Sequence, residues 1–378
     1  MRMNFDKLTK YLDALPREGV PGCDLVVCKD HEQLYRHQAG FRDAALTQPV
    51  RDDDTYNLYS ATKVFTTCAA MQLIERGILS LDDAVADYLP AYAHMNVKDG
   101  NTVRPAKRVM TVRHLMSMQS GLDYDMETEA IHSAIEALGP AATTRQLVDA
   151  KAQDPLMFEP GTNFLYSLSH DVLAAVIEVA SGMKFSEYLK KNIFDPLGLT
   201  TIGFQLKETD HARQCAQYMY NGEKKTFDPI GNEELPYRYT PNYESGGAGL
   251  ISDLRDYSTF ADAIACDGKS KDGYSVLTPA MIQLWSANQL GPVSRKTFDV
   301  WARRGYSYGL GVRTRVTLQE GGRGSIGEFG WDGAADSWVM IDPHLHLSAF
   351  FAMHVRGFPY AYDVIHPNLR NLIYEALE

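Results

Sequence analysis

The segment Leu58–Gly77, LYSATKVFTTCAAMQLIERG, carries no charge between Val64 and Ile74. Its composition predicts a helix over Ala61–Arg76, and a helix apolar nearly all round is one the fold must bury. Lys63 stands at the start of that helix, three residues after Ser60. Lysine is almost never fully buried without a partner. The first turn of this helix is therefore a candidate for chemistry as well as for packing.

What can cover such a helix is visible on either side of it. A first helix is expected at about Phe5–Leu15. CDLVVCKD and EQLYRHQAGF follow, joined by an Asp-His turn, and read as a hairpin. From Ser60 to about Asn288 the pattern is mostly helical. The clearest helices are Ala61–Arg76, Val112–Ser117, Thr144–Asp149, Ser169–Ala180, Phe185–Ile193 and Arg255–Ala265, with Gly77 and Gly182 where C-terminal caps belong. After Trp301 strands return in YSYGLGVRTRVTL, SWVMIDP and LHLSAFFAMHV, and a last helix begins near Pro367. Strands at both ends with helices between predict an α/β plus all-α fold: an antiparallel sheet flanked by the terminal helices, with a helical domain inserted. The expected division is a discontinuous sheet domain, 1–57 and 301–378, and a mostly helical domain, 58–300, that places Ser60 at the seam.

Composition narrows the function classes. At 378 residues and 45% hydrophobic the chain can bury a full core. A net charge of −11 argues against a nucleic-acid partner, because phosphate binding needs clustered Lys and Arg. Five scattered cysteines without a C-x-x-C form neither a disulfide framework nor a zinc site, which fits the reducing cytoplasm. No run of 18 apolar residues occurs, so no membrane span is expected.

Two S-x-x-K sequences are present. Ser181-Gly-Met-Lys184 contains the capping glycine of the preceding helix and reads as a connector. Ser60-Ala-Thr-Lys63 opens a helix, where residues three apart share a face. An ammonium is costly to bury alone, and a lysine there can serve as a base toward Ser60. Free N–H groups at the helix start suit negative charge on a bound acyl oxygen. Tyr166, in a loop before the helix at Ser169, is a further candidate. Gly322–Gly327 spells G-x-G-x-x-G, but glycines and a strand follow it in place of a helix, so the dinucleotide reading fails. His344 and His346 lack a third ligand and read as structural. No G-x-S-x-G occurs.

These pieces, in this order, resemble the serine beta-lactamase and penicillin-binding-protein superfamily, in its class C-like branch. That branch holds class C beta-lactamases, D-alanyl-D-alanine carboxypeptidases and family VIII esterases. LYSATK resembles the nucleophile motif. MTVRHLMSMQSGL, FEPGTNFLYS and SGGAGLISDLRDYSTF resemble connecting landmarks, and FGWDGAADSW stands where the third motif belongs. The resemblance implies Ser60 as acylated nucleophile, Lys63 as its base and Tyr166 as proton relay. The N–H groups of Ser60 and Ala334, after Gly333, would form the oxyanion hole. Neither metal nor organic cofactor is implied.

Two positions depart from the branch. Leu168 replaces the asparagine of the usual Tyr-x-Asn, and Trp331-Asp332-Gly333 replaces a Lys- or His-Thr-Gly motif whose cation helps to hold a carboxylate. Leu168, Trp331, Asp332, Gly333 and Ala334 are accordingly expected to line the substrate site. With an aromatic wall and an anion where the cation belongs, a small neutral ester is the expected substrate. The alternatives are a D-Ala-D-Ala carboxypeptidase or D-aminopeptidase, a weak class C-like beta-lactamase, and a non-catalytic binding module. Arg323 and Arg356 are the candidates to replace the missing cation.

Overall fold

The computed structural model describes residues 3–301 and 303–378. Its largest sheet has seven strands, in the order Glu32–Gly40, Gly22–Lys29, Leu347–Ala352, Trp338–Asp342, Phe329–Gly330, Arg313–Arg315 and Tyr306–Tyr308. Every pairing in it is antiparallel. Both ends of the chain build it: Asp24 lies opposite Ala352 and Val27 opposite Ala349. The Asp30-His31 turn of the first hairpin takes positive φ at both residues, 51° and 64°, the geometry that suits the twist of a two-residue hairpin.

The apolar run at Gly22–Lys29 shows no clean alternation with polar residues because both faces of the strand are covered. Leu25 and Val27 pack with Leu8, Leu12, Leu369 and Ile373 of the terminal helices, Asp6–Ala14 and His366–Ala376. Val26 belongs to the opposite core, which also holds Phe350, Tyr257 and Phe260. The Tyr257 ring stacks on Phe350 at 3.9 Å. The helix Leu254–Ala265, inside the segment expected to form the mostly helical domain, therefore packs on the sheet. The terminal helices cover one face only, and the other face needs its own apolar partner.

A second departure is a hairpin, Gln217–Asn221 with Thr226–Ile230, which adds in parallel to Val355–Arg356. Residues 58–300 are thus less uniformly helical than expected. Helices not singled out by the periodicity occur at Glu129–Leu138, Pro279–Ser286 and Pro292–Phe298. Among the described residues no helix is long and apolar enough to cross a membrane. All five cysteines are buried and unpaired.

The helix that carries the uncharged stretch occupies Thr62–Glu75, preceded by a single 3₁₀ turn at Tyr59–Ala61. Every residue from Thr62 to Leu73 is buried. The segment Ser245–Leu250 closes over its N-terminal end. Thr66 Oγ1 donates to the Gly246 carbonyl at 2.6 Å, the Leu250 N–H donates to Thr62 Oγ1 at 3.1 Å, and the Leu58 N–H donates to the Leu250 carbonyl at 2.9 Å.

Candidate active site

Ser60 sits in the 3₁₀ turn, partly exposed at the floor of a cavity of about 330 Å³. The residue before it, Tyr59, is held at φ 47°, a left-handed conformation that costs a non-glycine residue about 1–3 kcal/mol. Three contacts hold its side chain: its hydroxyl donates to Gln217 Oε1, the Arg356 guanidinium lies 5.7 Å over its ring, and the Tyr237 ring packs edge-on at 5.0 Å. Arg356 thus braces the residue beside the serine and does not line the cavity. Arg323 pairs with Glu378 instead.

Lys63 is 0% exposed. Its Nζ lies 3.2 Å from Ser60 Oγ, 2.8 Å from the Tyr124 hydroxyl and 2.7 Å from the Gly247 carbonyl. Among the described residues no carboxylate comes within 4 Å of it. Lys63 Nζ thus has three oxygen neighbours, the Gly247 carbonyl and the Tyr124 and Ser60 hydroxyls. Backbone must approach closely here: a Cβ on Gly247 would come within 2.6 Å of Asp171 Oδ2.

Tyr166 reaches the same cavity, with its ring centroid 4.7 Å from Lys63 Nζ. The Trp331 indole N–H donates to the Tyr166 hydroxyl at 2.8 Å, so the third-motif tryptophan orients the tyrosine as well as forming a wall. Trp301, 5.0 Å from Tyr166 and 6.0 Å from Trp331 between ring centroids, completes that wall. Tyr124 was not among the sequence candidates. Its ring is 43% exposed, yet its hydroxyl is enclosed beside Lys63 and Tyr166; burial pushes that phenol well above its ordinary range, so it stays protonated.

The Gly333–Ala334 turn lies across the cavity from Ser60. It is tied to the serine's own segment: Ser337 Oγ donates to the Leu58 carbonyl at 2.9 Å, the Gly333 N–H to the Ser337 carbonyl at 2.7 Å, and the Tyr362 hydroxyl to the Gly333 carbonyl at 2.8 Å. A Cβ at Gly333 would meet Leu58 O and Ser337 Oγ at 2.2 Å each, so only glycine fits. Ala334 is exposed to the cavity, and among the described residues its N–H has no acceptor.

Two expected site residues behave otherwise. Leu168 is 2% exposed, belongs to the core and does not line the cavity; as the residue before the helix Ser169–Ser181, it turns inward with that helix. Asp332 borders the cavity, but its carboxylate is buried between Arg303 and Arg313, with Arg313 Nη1 at 3.0 Å from Oδ1. Burial pushes its pKa up, and the two guanidinium groups more than reverse this, leaving it below the usual carboxylate range. The expectation of an uncompensated anion facing substrate is therefore corrected. A cation does stand in the cleft wall, and it is Arg303.

A family model described as beta-lactamase matches residues 5–366. The chain belongs to the beta-lactamase family. Esterase EstB of Burkholderia gladioli is 28% identical over 364 residues, covering 89% of this chain and 86% of that protein. Among solved structures, EstCE1, titled a hydrolase with promiscuous acyltransferase activity, superposes with a TM-score of 0.80 at 23% identity, over 99% of this chain and 98% of its own. Simvastatin synthase from Aspergillus terreus gives the same TM-score, identity and coverage. At that identity, these two likenesses speak for the fold.

Proposed function

We propose that the protein is an acyl-serine hydrolase of esterase type, acting on a small-molecule ester through an acyl-enzyme on Ser60. The observation that carries this reading is the fully buried Lys63 amine, 3.2 Å from Ser60 Oγ at the floor of an aromatic-walled cavity. As Ser60 Oγ attacks the ester carbonyl carbon, its proton passes to Lys63 Nζ. The carbonyl oxygen, gaining charge, takes hydrogen bonds from the Ser60 and Ala334 N–H groups, which are fixed before the reaction begins. Collapse breaks the bond to the alcohol, whose oxygen receives a proton through the Tyr166 hydroxyl, held by Trp331. Water, activated by the same groups, then releases the acid; a bound alcohol in place of water would give acyl transfer. The likeness to esterase EstB supports ester chemistry over the peptidase and beta-lactamase alternatives. The cavity, walled in part by Tyr166, Trp301, Trp331 and Tyr362, supports it as well.

The test is intact-mass spectrometry after incubation with p-nitrophenyl butyrate, a penicillin and a D-Ala-D-Ala peptide. An acyl adduct from the ester on the wild type, absent from Ser60→Ala, is the expected result. An adduct from the penicillin or peptide alone would replace the esterase reading with one of its rivals.

A further inference from the structure

Beside the proposed acylation cavity lies a second one, of about 370 Å³, and Trp301, Arg303 and Tyr362 line both. Its lining residues include Arg303, Arg304, Arg313 and Arg370, against one acidic residue, Asp363. Arg303 and Arg313 share Asp332, and Glu328 Oε1 lies 3.9 Å from Arg313 Nη2. Arg304 is exposed and, among the described residues, makes no ion pair and no side-chain hydrogen bond. Arg370 is 7% exposed, and its Nη2 donates to the Gly321 carbonyl at 2.7 Å. Its guanidinium stacks over Tyr306 at 5.0 Å, and no carboxylate lies within 4 Å of it. The Nε atoms of Arg303 and Arg370 are buried without a hydrogen-bond partner. Arg304 and Arg370 are thus left, among the described residues, without a carboxylate within 4 Å, in a chain whose net charge is −11. Guanidinium groups without a carboxylate partner suit an anion that fits the planar fork of arginine, a carboxylate or a phosphate.

Resting on the acyl-serine reading, we propose that the substrate carries a carboxylate or phosphate group remote from its ester, and that this group sits in the arginine-lined cavity while the ester carbonyl lies at Ser60. Arg303 faces both spaces and sets the boundary between the uncharged and the charged ends of the substrate. The specificity is then for anionic esters, the reverse of what the third-motif sequence Trp331-Asp332-Gly333 suggests.

Matched p-nitrophenyl esters separate the possibilities. Butyrate is the neutral reference, and the monoesters of glutarate and adipate carry the same reacting group with a distant carboxylate. In the wild type, kcat/KM for an anionic ester is expected to exceed that for butyrate by about tenfold or more, mostly through KM and less so at high salt. Arg304→Gln should lower that ratio, and Arg304→Glu should lower it further, whereas Arg323→Gln, outside both cavities, should leave it unchanged. Arg304 is exposed, so both variants should fold. Calorimetric titration of Ser60→Ala with glutarate, and separately with inorganic phosphate, reads binding without turnover and tells carboxylate from phosphate. Equal rates for neutral and anionic esters, or a ratio insensitive to Arg304→Glu, would overturn the proposal while leaving the acyl-serine reading intact. Failure of every ester would overturn the latter, and the titrations would still decide the anion site: no heat from either probe refutes it.

Discussion

The chain contains the same four-residue spacing twice, at Ser60–Lys63 and at Ser181–Lys184, and the fold treats the two in opposite ways. Ser60 stands in a 3₁₀ turn that runs straight into an α-helix, so Lys63 returns to the same face and its Nζ reaches the serine oxygen. Ser181 ends a helix, and Gly182 at φ 68° turns the chain away. Ser181 Oγ accepts from the Met183 N–H, while the half-exposed Lys184 pairs with Glu244. At Ser60–Lys63 the fold instead buries the amine with no carboxylate within 4 Å, among the described residues.

Substitution at the two serines should divide them most widely. Ser60→Ala is expected to lower kcat for p-nitrophenyl butyrate by about 10⁴-fold or more with the far-UV spectrum retained. Ser181→Ala should stay within about twofold, since it loses one local hydrogen bond. Comparable losses at both would erase the distinction.

Next come the lysines. Lys63→Met keeps the apolar stem in a buried site and removes the proton acceptor, for an expected loss of about 10³-fold in kcat. Lys184→Met removes a half-exposed partner of Glu244, which keeps the hydrogen bonds it accepts from Ser186, and its activity should match the wild type. If Lys63→Met retained most of its rate, Tyr166 or Tyr124 would have to be the base.

A subtler test keeps Ser60 and Lys63 and disturbs what surrounds them. Gly333→Ala places a methyl group where Leu58 O and Ser337 Oγ already stand, so the turn carrying the Ala334 N–H must move. Losing one oxyanion donor typically costs about 10²–10³ in kcat, and a loss at the lower end, about 10²-fold, is expected here, together with a lower Tm. An unchanged kcat would remove Ala334 from the oxyanion hole. The smallest effect should come from Trp331→Phe, which keeps a ring but loses the N–H donated to Tyr166; a fall of about tenfold in kcat with little change in KM would show that the tryptophan orients the tyrosine.

The same contrast explains what was legible in the sequence. Ser60 and Lys63 were readable because their relation is local, set by helix geometry over three residues in a stretch too apolar to be exposed. The sheet built from both ends was readable for a similar reason, in that its strands are short apolar runs bounded by turn residues. Tyr124, Arg303 and the pairing of Asp332 were not, since each depends on segments far apart in the chain meeting in space. Asp332 looked like a free anion because its partners, Arg303 and Arg313, belong to other parts of the chain. Leu168 was placed in the cleft by its position relative to Tyr166, whereas the helix that it precedes carries it into the core.

The pairing of Gly22–Lys29 with Leu347–Ala352 has a consequence for how the molecule is made. A ribosome adds about 5–20 residues per second, so the first hairpin leaves the exit tunnel roughly 15–60 s before its neighbour in the sheet is synthesised. Through that interval it exposes an unpaired edge and apolar side chains on both faces, the kind of template that recruits a wrong partner. The sheet's high contact order makes its completion slow even afterwards. Biogenesis of this protein should therefore lean on holdase chaperones that shield the nascent hairpin, far more than its native compactness suggests.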